Sequence, residues 1–315
     1  MLFNYWRLPM KMIIERGLRW IDVEHPSKAD IERLDKEFPS FHPLTLEDTL
    51  SPIQRAKIDV FENHLFVVLH FPVYEKKTGR VASAEVDFFI GKDFVVTLHD
   101  GRIKPLVEFF EDALDNKKVR NDIFLKGGAG YLLYSILNKI LDAEFPILYR
   151  VDTELDIIED KIFEGEDISR RIEELSVQRR NVLIYRRIIS PQRAIIPQIR
   201  DRFRLVGIRE EMGVYFNDLA DHIEKIWQTL EEQKEVVEGL HDSTAALVNT
   251  LTNDVVRVLT VITVIFLPLT LIASVFGMNI PLPFAESRFG LEIVIGGMLV
   301  ILVVMVIVFR KLKWL

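Results

Sequence analysis

Four hydroxyl side chains recur along one side of an apolar segment near the end of the chain. Residues 258–276 (VLTVITVIFLPLTLIASVF) contain no charged side chain. Their hydroxyl-bearing residues are Thr260, Thr263, Thr270 and Ser274. At about 100° per residue of an α-helix, these four fall within an arc of about 80°. Leu267 interrupts the arc, and Asn253 lies at its margin. A polar stripe of this kind predicts a water-lined path through an apolar layer.

The hydroxyls also have a purely structural explanation, which the sequence leaves open. Serine and threonine in membrane helices commonly face a neighbouring helix or bond the carbonyl group four residues earlier. If the stripe lines a path, two apolar segments cannot enclose it, and several copies of the chain must surround one axis. This interpretation predicts a homo-oligomer.

No charge lies in the stripe, so an ion would be selected through its water shell rather than by carboxylate ligands. Mg²⁺ gives up its water reluctantly, and hydroxyl and amide oxygens can hold the hydrated ion. A membrane potential would drive a divalent cation inward with about 4.6 kcal/mol per 100 mV. A hydrated divalent ion therefore fits a path of this kind.

A second apolar segment, residues 293–309, also carries no charge. At about 1.5 Å per residue, each segment spans about 26–28 Å, close to the hydrocarbon core of a bilayer. Arg257 precedes the first segment, and Arg310, Lys311 and Lys313 follow the second. The two segments predict a multi-pass protein of the cell (inner) membrane. The positive-inside rule predicts that both termini lie in the cytoplasm.

The composition excludes several classes of protein. The 315 residues include 40 Lys plus Arg and 47 Asp plus Glu, a net charge of −7, which argues against a nucleic-acid partner. Cysteine is absent, so disulfides, thiolate metal sites and cysteine nucleophiles are excluded. HExxH, G-x-S-x-G and Walker A motifs are also absent, so we expect no enzyme. Residues 1–14 are broken by Pro9 and are not expected to form a signal peptide.

Residues 1–127 are predicted to form a cytoplasmic α/β domain. Runs rich in β-branched and aromatic side chains predict strands. The predicted strands are residues 59–61, 64–74, 81–90 and 94–99. Apolar spacing predicts helices at 28–38 and 103–114, the latter with Val107, Phe110 and Leu114 on its apolar face.

After residue 127 the apolar spacing becomes helical and remains so. One helix is predicted for 131–164, with Pro146 as a candidate kink, and another for 168–189, ending before two prolines. A helix over 215–276 would be about 90 Å long and would join the cytoplasmic part rigidly to the membrane. The predicted segments are 1–127 (α/β domain), 128–200 (helical hairpin), 201–257 (cytoplasmic part of the long helix), 258–276 (first transmembrane helix), 277–290 (outer loop), 291–309 (second transmembrane helix) and 310–315 (basic cytoplasmic tail).

The first apolar segment ends in Phe276-Gly277-Met278-Asn279, and the second is followed by the basic, tryptophan-containing tail RKLKWL. Gly-Met-Asn at the outer end of the first of two C-terminal spans resembles the signature of the CorA family of divalent metal (magnesium) transporters. Residues 42–48 (HPLTLED) also resemble a family segment, so the resemblance covers the whole chain. Phe276 is a departure, because many members have tyrosine there.

The resemblance implies a homopentameric, funnel-shaped channel, with an α/β cytoplasmic domain, long helices and two C-terminal transmembrane helices. Gly277, Met278 and Asn279 would form the outer selectivity filter for hydrated Mg²⁺, with Co²⁺ and Ni²⁺ as further candidate cargo. The implied pore-lining residues are Asp242, Asn253, Val256, Leu259, Thr260, Thr263, Leu267, Thr270 and Ser274. Of these, the valine and the two leucines would be apolar constrictions. Asp242 shares the face of Asn253 on a helix, although a solvated aspartate is equally common there.

Family members sense cytoplasmic Mg²⁺ with acidic residues at subunit contacts. By resemblance, Asp48 and Asp218 are candidate regulatory ligands, assisted by Asp221 and His222. Bound Mg²⁺ would neutralise carboxylates that otherwise repel one another, and so hold the pore closed. Alternatively, Asp48 caps a turn and Asp218 is ordinary surface charge. No resident cofactor is expected, because Mg²⁺ serves as both cargo and regulatory ligand.

Two alternatives remain open from the sequence. The related zinc transporter branch (ZntB-like) shares Gly-Met-Asn and could couple transport to protons. A two-span membrane scaffold or sensor would share the layout without transporting anything, but it would not need a hydroxyl stripe. The expected partners are divalent metal ions, the lipid bilayer and further copies of the same chain.

Overall fold

A computed structural model of the chain describes residues 10–51, 54–208, 211–278 and 289–314. The chain divides into two compact units, Met1–Leu240 and His241–Leu315. The first unit contains a mixed β-sheet with helices on both faces. The second contains the two apolar segments, both helical.

Six strands form one sheet among the described residues of the first unit. The strands are β1 (Met10–Glu15), β2 (Leu18–Glu24), β3 (Lys57–Val60), β4 (His64–Glu75), β5 (Arg80–Gly91) and β6 (Phe94–His99). Their order across the sheet is β1-β2-β6-β5-β4-β3, and each neighbouring pair is antiparallel except β2 and β6, which are parallel. The four strands predicted from the sequence correspond to β3, β4, β5 and β6 and are confirmed.

Strands β1 and β2 were not predicted from the sequence. Arg16 and Gly17 connect them with φ angles of 50° and 84°. Positive φ at both positions is the geometry of a two-residue hairpin turn whose twist matches that of the strands. The signal available in the sequence was an Arg-Gly pair between apolar runs. It is weaker than Asn-Gly, because arginine seldom adopts positive φ.

Helices cover both faces of this sheet. On one face, Leu34 of α1 (Lys28–Glu37) and Leu46 of α2 (Pro43–Asp48) are buried with sheet residues such as Phe66 and Val68. Strand residues that point the other way, such as Leu65, enter a second and larger core shared with the remaining helices of this unit. Because both faces are buried, β4 and β5 consist of nearly continuous apolar runs, which made them predictable.

The remaining helices follow the sheet in the sequence. They are α3 (Lys104–Asp115), α4 (Lys117–Lys126), α5 (Ala129–Asp142), α6 (Phe145–Phe163), α7 (Ile168–Arg202), α8 (Gly213–Phe276) and α9 (Gly290–Lys311). The long helix predicted from the sequence is confirmed as α8. Of the apolar face predicted for α3, Phe110 is confirmed as buried. Leu106 and Ala113 are buried in place of Val107, which is half-buried, and Leu114, which is 39% exposed.

Both predictions that depended on prolines in the helical region were wrong. The single helix predicted for 131–164 is divided into α5 and α6. Pro146 lies in the first turn of α6, where a missing N–H group leaves no hydrogen bond unmade. The proline therefore begins a helix rather than kinking one.

Conversely, the helix predicted to end at residue 189 continues as α7 through Pro191 and Pro197. An internal proline costs about 3 kcal/mol or more, because it removes a hydrogen bond and crowds the preceding turn. Buried isoleucines around these prolines offset that cost. They are Ile188, Ile189, Ile195, Ile196 and Ile199.

His64, at the start of β4, is buried without a polar partner. It is 0% exposed, and neither ring nitrogen has a hydrogen-bond partner among the described residues. Its ring stacks on Phe61 at a centroid distance of 4.8 Å and lies 4.7 Å from Phe41. Burial lowers the pKa of His64 from 6.5 to about 4, because the charged ring would lose its water and gain nothing in exchange.

We expect His64 to make the fold sensitive to acid. Between pH 6.5 and about pH 4 the unfolded chain binds a proton here and the folded chain does not, so the free energy of unfolding falls as the pH drops. His64→Phe should reduce the difference in unfolding free energy between pH 7 and pH 5 by about 1–2 kcal/mol. Unfolding of the full chain at both pH values measures this difference. An identical pH dependence in the variant would show that His64 is not responsible.

Candidate ion pathway

The hydroxyl stripe of α8, defined as Thr260, Thr263, Thr270 and Ser274, is exposed along its whole length in the single chain. Each of the three threonines donates a hydrogen bond to the carbonyl oxygen four residues earlier, over 2.7, 2.8 and 2.9 Å respectively. The structural explanation offered by the sequence therefore accounts for the hydroxyl hydrogens. It does not account for the hydroxyl oxygens, which retain lone pairs that can accept hydrogen bonds.

The opposite side of α8 packs against α9. Val261 and Ile265 are 1% and 8% exposed and form an apolar cluster with Phe309. The side chains packed against this cluster are Leu269, Leu302, Met305 and Val306. On a helical wheel, the α8 members of the cluster lie about 160–240° from Thr263. Helix α9 therefore covers the side of α8 away from the hydroxyl stripe and leaves the stripe open.

The other residues predicted to line a pore are exposed as well. They are Asp242, Asn253, Val256, Leu259 and Leu267. Sequence-based reasoning missed Asn249 and Thr252, which are also exposed and lie within about 40° of Thr263 on the wheel. Thr252 makes the same hydrogen bond to the carbonyl four residues earlier, at 2.8 Å. Continuing the helical-wheel arithmetic toward the N-terminus from Asn253 would have found both.

Helix α8 ends at the Gly-Met-Asn tripeptide. The Gly277 N–H donates to the Ala273 carbonyl oxygen at 2.9 Å, and the Met278 N–H donates to the Val275 carbonyl oxygen at 3.3 Å. A Cβ atom on Gly277 would lie 3.2 Å from the Ala273 oxygen, closer than an ordinary contact, which favours glycine at this position. Met278 is 53% exposed. Asn279 lies outside the described residues.

Within the described part of the chain, α8 and α9 are the helices long and apolar enough to cross a membrane. Most apolar side chains of α9 are exposed, for example Val300 at 62% and Val303 at 54%. An apolar surface of this kind is stable when it is surrounded by hydrocarbon. These two helices correspond to the two spans predicted from the sequence.

Of the predicted regulatory residues, Asp48 forms an ion pair within the first unit. Its Oδ2 atom lies 2.7 Å from Nζ of Lys57, which in turn lies 3.2 Å from Oδ2 of Asp59. Burial acts to lower the pKa of Lys57, but its hydrogen bonds to the two aspartates outweigh that effect and raise it. The carboxylate of Asp48 thus forms an ion pair with Lys57 rather than capping a turn.

The other three predicted regulatory residues lie on α8. Asp218 accepts a hydrogen bond from the Tyr134 hydroxyl at 3.2 Å and lies 3.9 Å from Nε2 of His222, and Asp221 is exposed. Burial, followed by the charge of Asp218, raises the pKa of Tyr134 to about 12. The described residues of the single chain contain no group of three or more His, Asp or Glu side chains that could hold a metal ion. These residues therefore do not assemble a metal site on their own.

The chain is similar to known proteins over most of its length. The chain matches the family described as "CorA-like Mg2+ transporter protein" over residues 15–311. The cobalt/magnesium transport protein CorA of Thermotoga maritima is 34% identical over 298 residues, which cover 94% of this chain and 83% of the relative. The corresponding protein of Methanocaldococcus jannaschii is 26% identical, with coverage of 94% and 91%.

The fold is also that of a solved structure. The complete structure of the CorA magnesium transporter from Methanocaldococcus jannaschii matches with a TM-score of 0.81 at 24% identity, covering 95% of this chain and 92% of that one. The α/β domain, long helices and two C-terminal apolar helices expected from the sequence are therefore confirmed. The chain belongs to the CorA-like Mg²⁺ transporter family, whose members are membrane proteins that transport divalent cations and are not enzymes.

Proposed function

We propose that this chain forms a homopentameric channel that carries Mg²⁺ into the cell down the membrane potential. The observation that carries the proposal is the open hydroxyl stripe on a helix whose other side is covered by α9. Copies of α8 around one axis would bring their stripes together and enclose a wet path. The names of the relatives, which are cobalt/magnesium transport proteins, support a divalent cation as cargo.

The hydrogen bonds within α8 define what the stripe offers to an ion. Each threonine has one hydroxyl hydrogen and donates it to its own helix, so toward an axis it can only accept. Water molecules bound to Mg²⁺ direct their hydrogens outward and are therefore donors. Rings of acceptor oxygens match a hydrated cation, which can then pass without losing its strongly held water.

Helix α8 and the tripeptide that follows it would also supply the outer filter, the constrictions and the cytoplasmic part of this path. Gly277, Met278 and Asn279 would form the outer filter, with the Asn279 carbonyl accepting from the water shell of the ion. Val256, Leu259 and Leu267 are 53%, 63% and 63% exposed and would form apolar constrictions that close by dewetting. The polar residues nearer the cytoplasm would complete the path. They are Asp242, Asn249, Thr252 and Asn253.

Regulation by cytoplasmic Mg²⁺ is part of the proposal. The side chains of Asp48 and Asp218 are 31% and 48% exposed, so each can share a metal ion with a carboxylate of a neighbouring copy. Mg²⁺ shared between such carboxylates, with Asp221 and His222 nearby, would hold adjacent copies together and the pore closed. Both termini would lie in the cytoplasm, and the protein in the cell (inner) membrane, as the basic flanks of the spans predict.

Thr270→Val should lower Mg²⁺ influx into empty liposomes at least about tenfold, because it removes one acceptor from every copy in the ring. The matched control is Thr250→Val. Thr250 also bonds the carbonyl four residues earlier, at 3.0 Å, but lies about 140° from Thr263 on the wheel. Influx should be near normal in the control. Equal effects of the two substitutions would place the stripe outside the pathway.

Asn279→Ala should abolish discrimination among divalent ions, because the outer filter would lose its carbonyl acceptors. Fluxes of Mg²⁺, Co²⁺, Ni²⁺ and Zn²⁺, each with and without a pH gradient, measure discrimination. Retained selectivity would contradict the assignment of the filter. Proton-dependent Zn²⁺ flux in the unsubstituted protein would favour the zinc transporter alternative, and a non-conducting monomer would favour the scaffold.

Asp48→Ala and Asp218→Ala should each raise the Mg²⁺ concentration that protects the full-length protein from protease by about tenfold or more, because a carboxylate ligand to the metal is lost. Asp59→Ala is the matched control, since Asp59 also pairs with Lys57 but is not a proposed ligand. Protection curves that are unchanged in both variants, or shifted equally in the control, would remove these residues from the sensor.

A further inference from the structure

A cavity of about 770 Å³ lies in the first unit between α7 and the β4–β5 hairpin, in a region that the ion pathway does not use. One wall is a face of α7, on which arginine and isoleucine alternate at helical spacing: Arg180, Ile184, Arg187 and Ile188. The other wall consists of the start of β5 and the segment before β3, and these contribute Arg80 and Arg55. Four arginines, all of them exposed, therefore line one cavity.

These four guanidinium groups have no carboxylate partner among the residues that the structure describes. Glu75 also lines the cavity; its carboxylate accepts a hydrogen bond from the Thr78 hydroxyl at 3.1 Å, and its single negative charge leaves an excess of positive charge on the arginines. Other arginines of α7 are paired, for example Arg193 with Glu224 at 2.9 Å. Like charges in one cavity repel one another, so an anion that binds there would stabilise them together.

The walls of the cavity are fixed by buried side chains. Asn181, which follows Arg180 and is 0% exposed, donates to the Gly79 carbonyl oxygen and accepts from the Val81 N–H, both at 2.9 Å. Gln192, also 0% exposed, donates to the carbonyl oxygen of His70. Helix α7 is thus anchored to β5 and to β4 at the cavity. The backbone of the walls therefore needs no ordering when a ligand binds, and the ordering cost is confined to the exposed arginine side chains.

The lining also includes an apolar part. Val81 and Ile188 are 2% and 5% exposed, so the accessible apolar surface comes from Ile184, which is half-buried, and Pro191, which is exposed. Planar guanidinium groups bind phosphate oxygens in pairs, and an apolar surface accepts a flat ring. The volume lies within the range of ordinary small-molecule sites, about 300–1,000 Å³. An acidic protein segment would satisfy the arginines but leave the apolar surface unused.

We propose that this cavity binds a nucleoside polyphosphate, with the phosphates on the arginines and the base against Ile184 and Pro191. The hydroxyl of Ser83 and the side-chain amide of Gln54, which also line the cavity, are available to the sugar and base. The proposal does not depend on the transported ion.

The test is equilibrium titration of the detergent-solubilised full chain with ATP, in Mg²⁺-free buffer and again with Mg²⁺ preloaded on the nucleotide. We expect saturable binding of one nucleotide per chain. Arg180→Ala and Arg187→Ala should each raise the Kd at least about tenfold. The matched control is Arg179→Ala, which removes an adjacent exposed arginine of α7 outside the cavity lining and should leave the Kd unchanged.

Further titrations and competition measurements identify the class of ligand. Inorganic triphosphate should bind at least about tenfold more weakly than ATP, because it lacks the base that meets the apolar wall. Non-saturable binding, equal weakening by Arg179→Ala, or equally tight binding of triphosphate would overturn the proposal, as would stronger competition by phosphoinositide vesicles or by an acidic peptide. Unfolding temperatures establish that each variant is folded. No flux is measured, so failure here leaves the proposed transport function untouched.

Discussion

The one-sided packing of α8 is the constraint on which the proposed ion pathway depends. Val261, Ile265 and Leu269 pack against α9, and this contact fixes which side of α8 remains open. Since the helix repeats every 3.6 residues, fixing one side also fixes the direction of Thr260, Thr263, Thr270 and Ser274. A single chain can therefore present a polar stripe but cannot enclose it. The pathway that we propose therefore requires several copies of the chain.

The same helix shows how local stability and ion chemistry are combined. A threonine in an apolar layer must satisfy its hydroxyl hydrogen, and three members of the stripe do so within their own helix. The bond that makes the residue tolerable in the membrane is also the bond that turns it into a pure acceptor. On the side that packs against α9 the same internal hydrogen bond could form, but the acceptor oxygen would face α9 instead of the open side of the helix.

The sequence was most informative where one physical rule dominated. Strands β4 and β5 could be predicted because buried strands are apolar on both faces. Helix α8 could be predicted because its sequence lacks proline up to Pro268. The family could be predicted because the Gly-Met-Asn tripeptide follows this helix. Pro146 and Pro191 were interpreted wrongly, because the effect of a proline depends on its place in the helix and on packing that compensates for it. The arginine-lined cavity could not be found from the sequence, since Arg55, Arg80 and Arg180 come from separate elements that only folding brings together.

The contact between Lys57 and Asp48 has a consequence for any metal sensor built on that carboxylate. The ammonium group already occupies one oxygen at 2.7 Å, so an incoming divalent ion must displace a competitor that belongs to the protein itself. A half-exposed ion pair of this kind is worth up to about 1 kcal/mol, which corresponds to a weakening of about fivefold. Lys57 would thereby shift the set point at which the carboxylate becomes occupied toward a higher concentration of the ion.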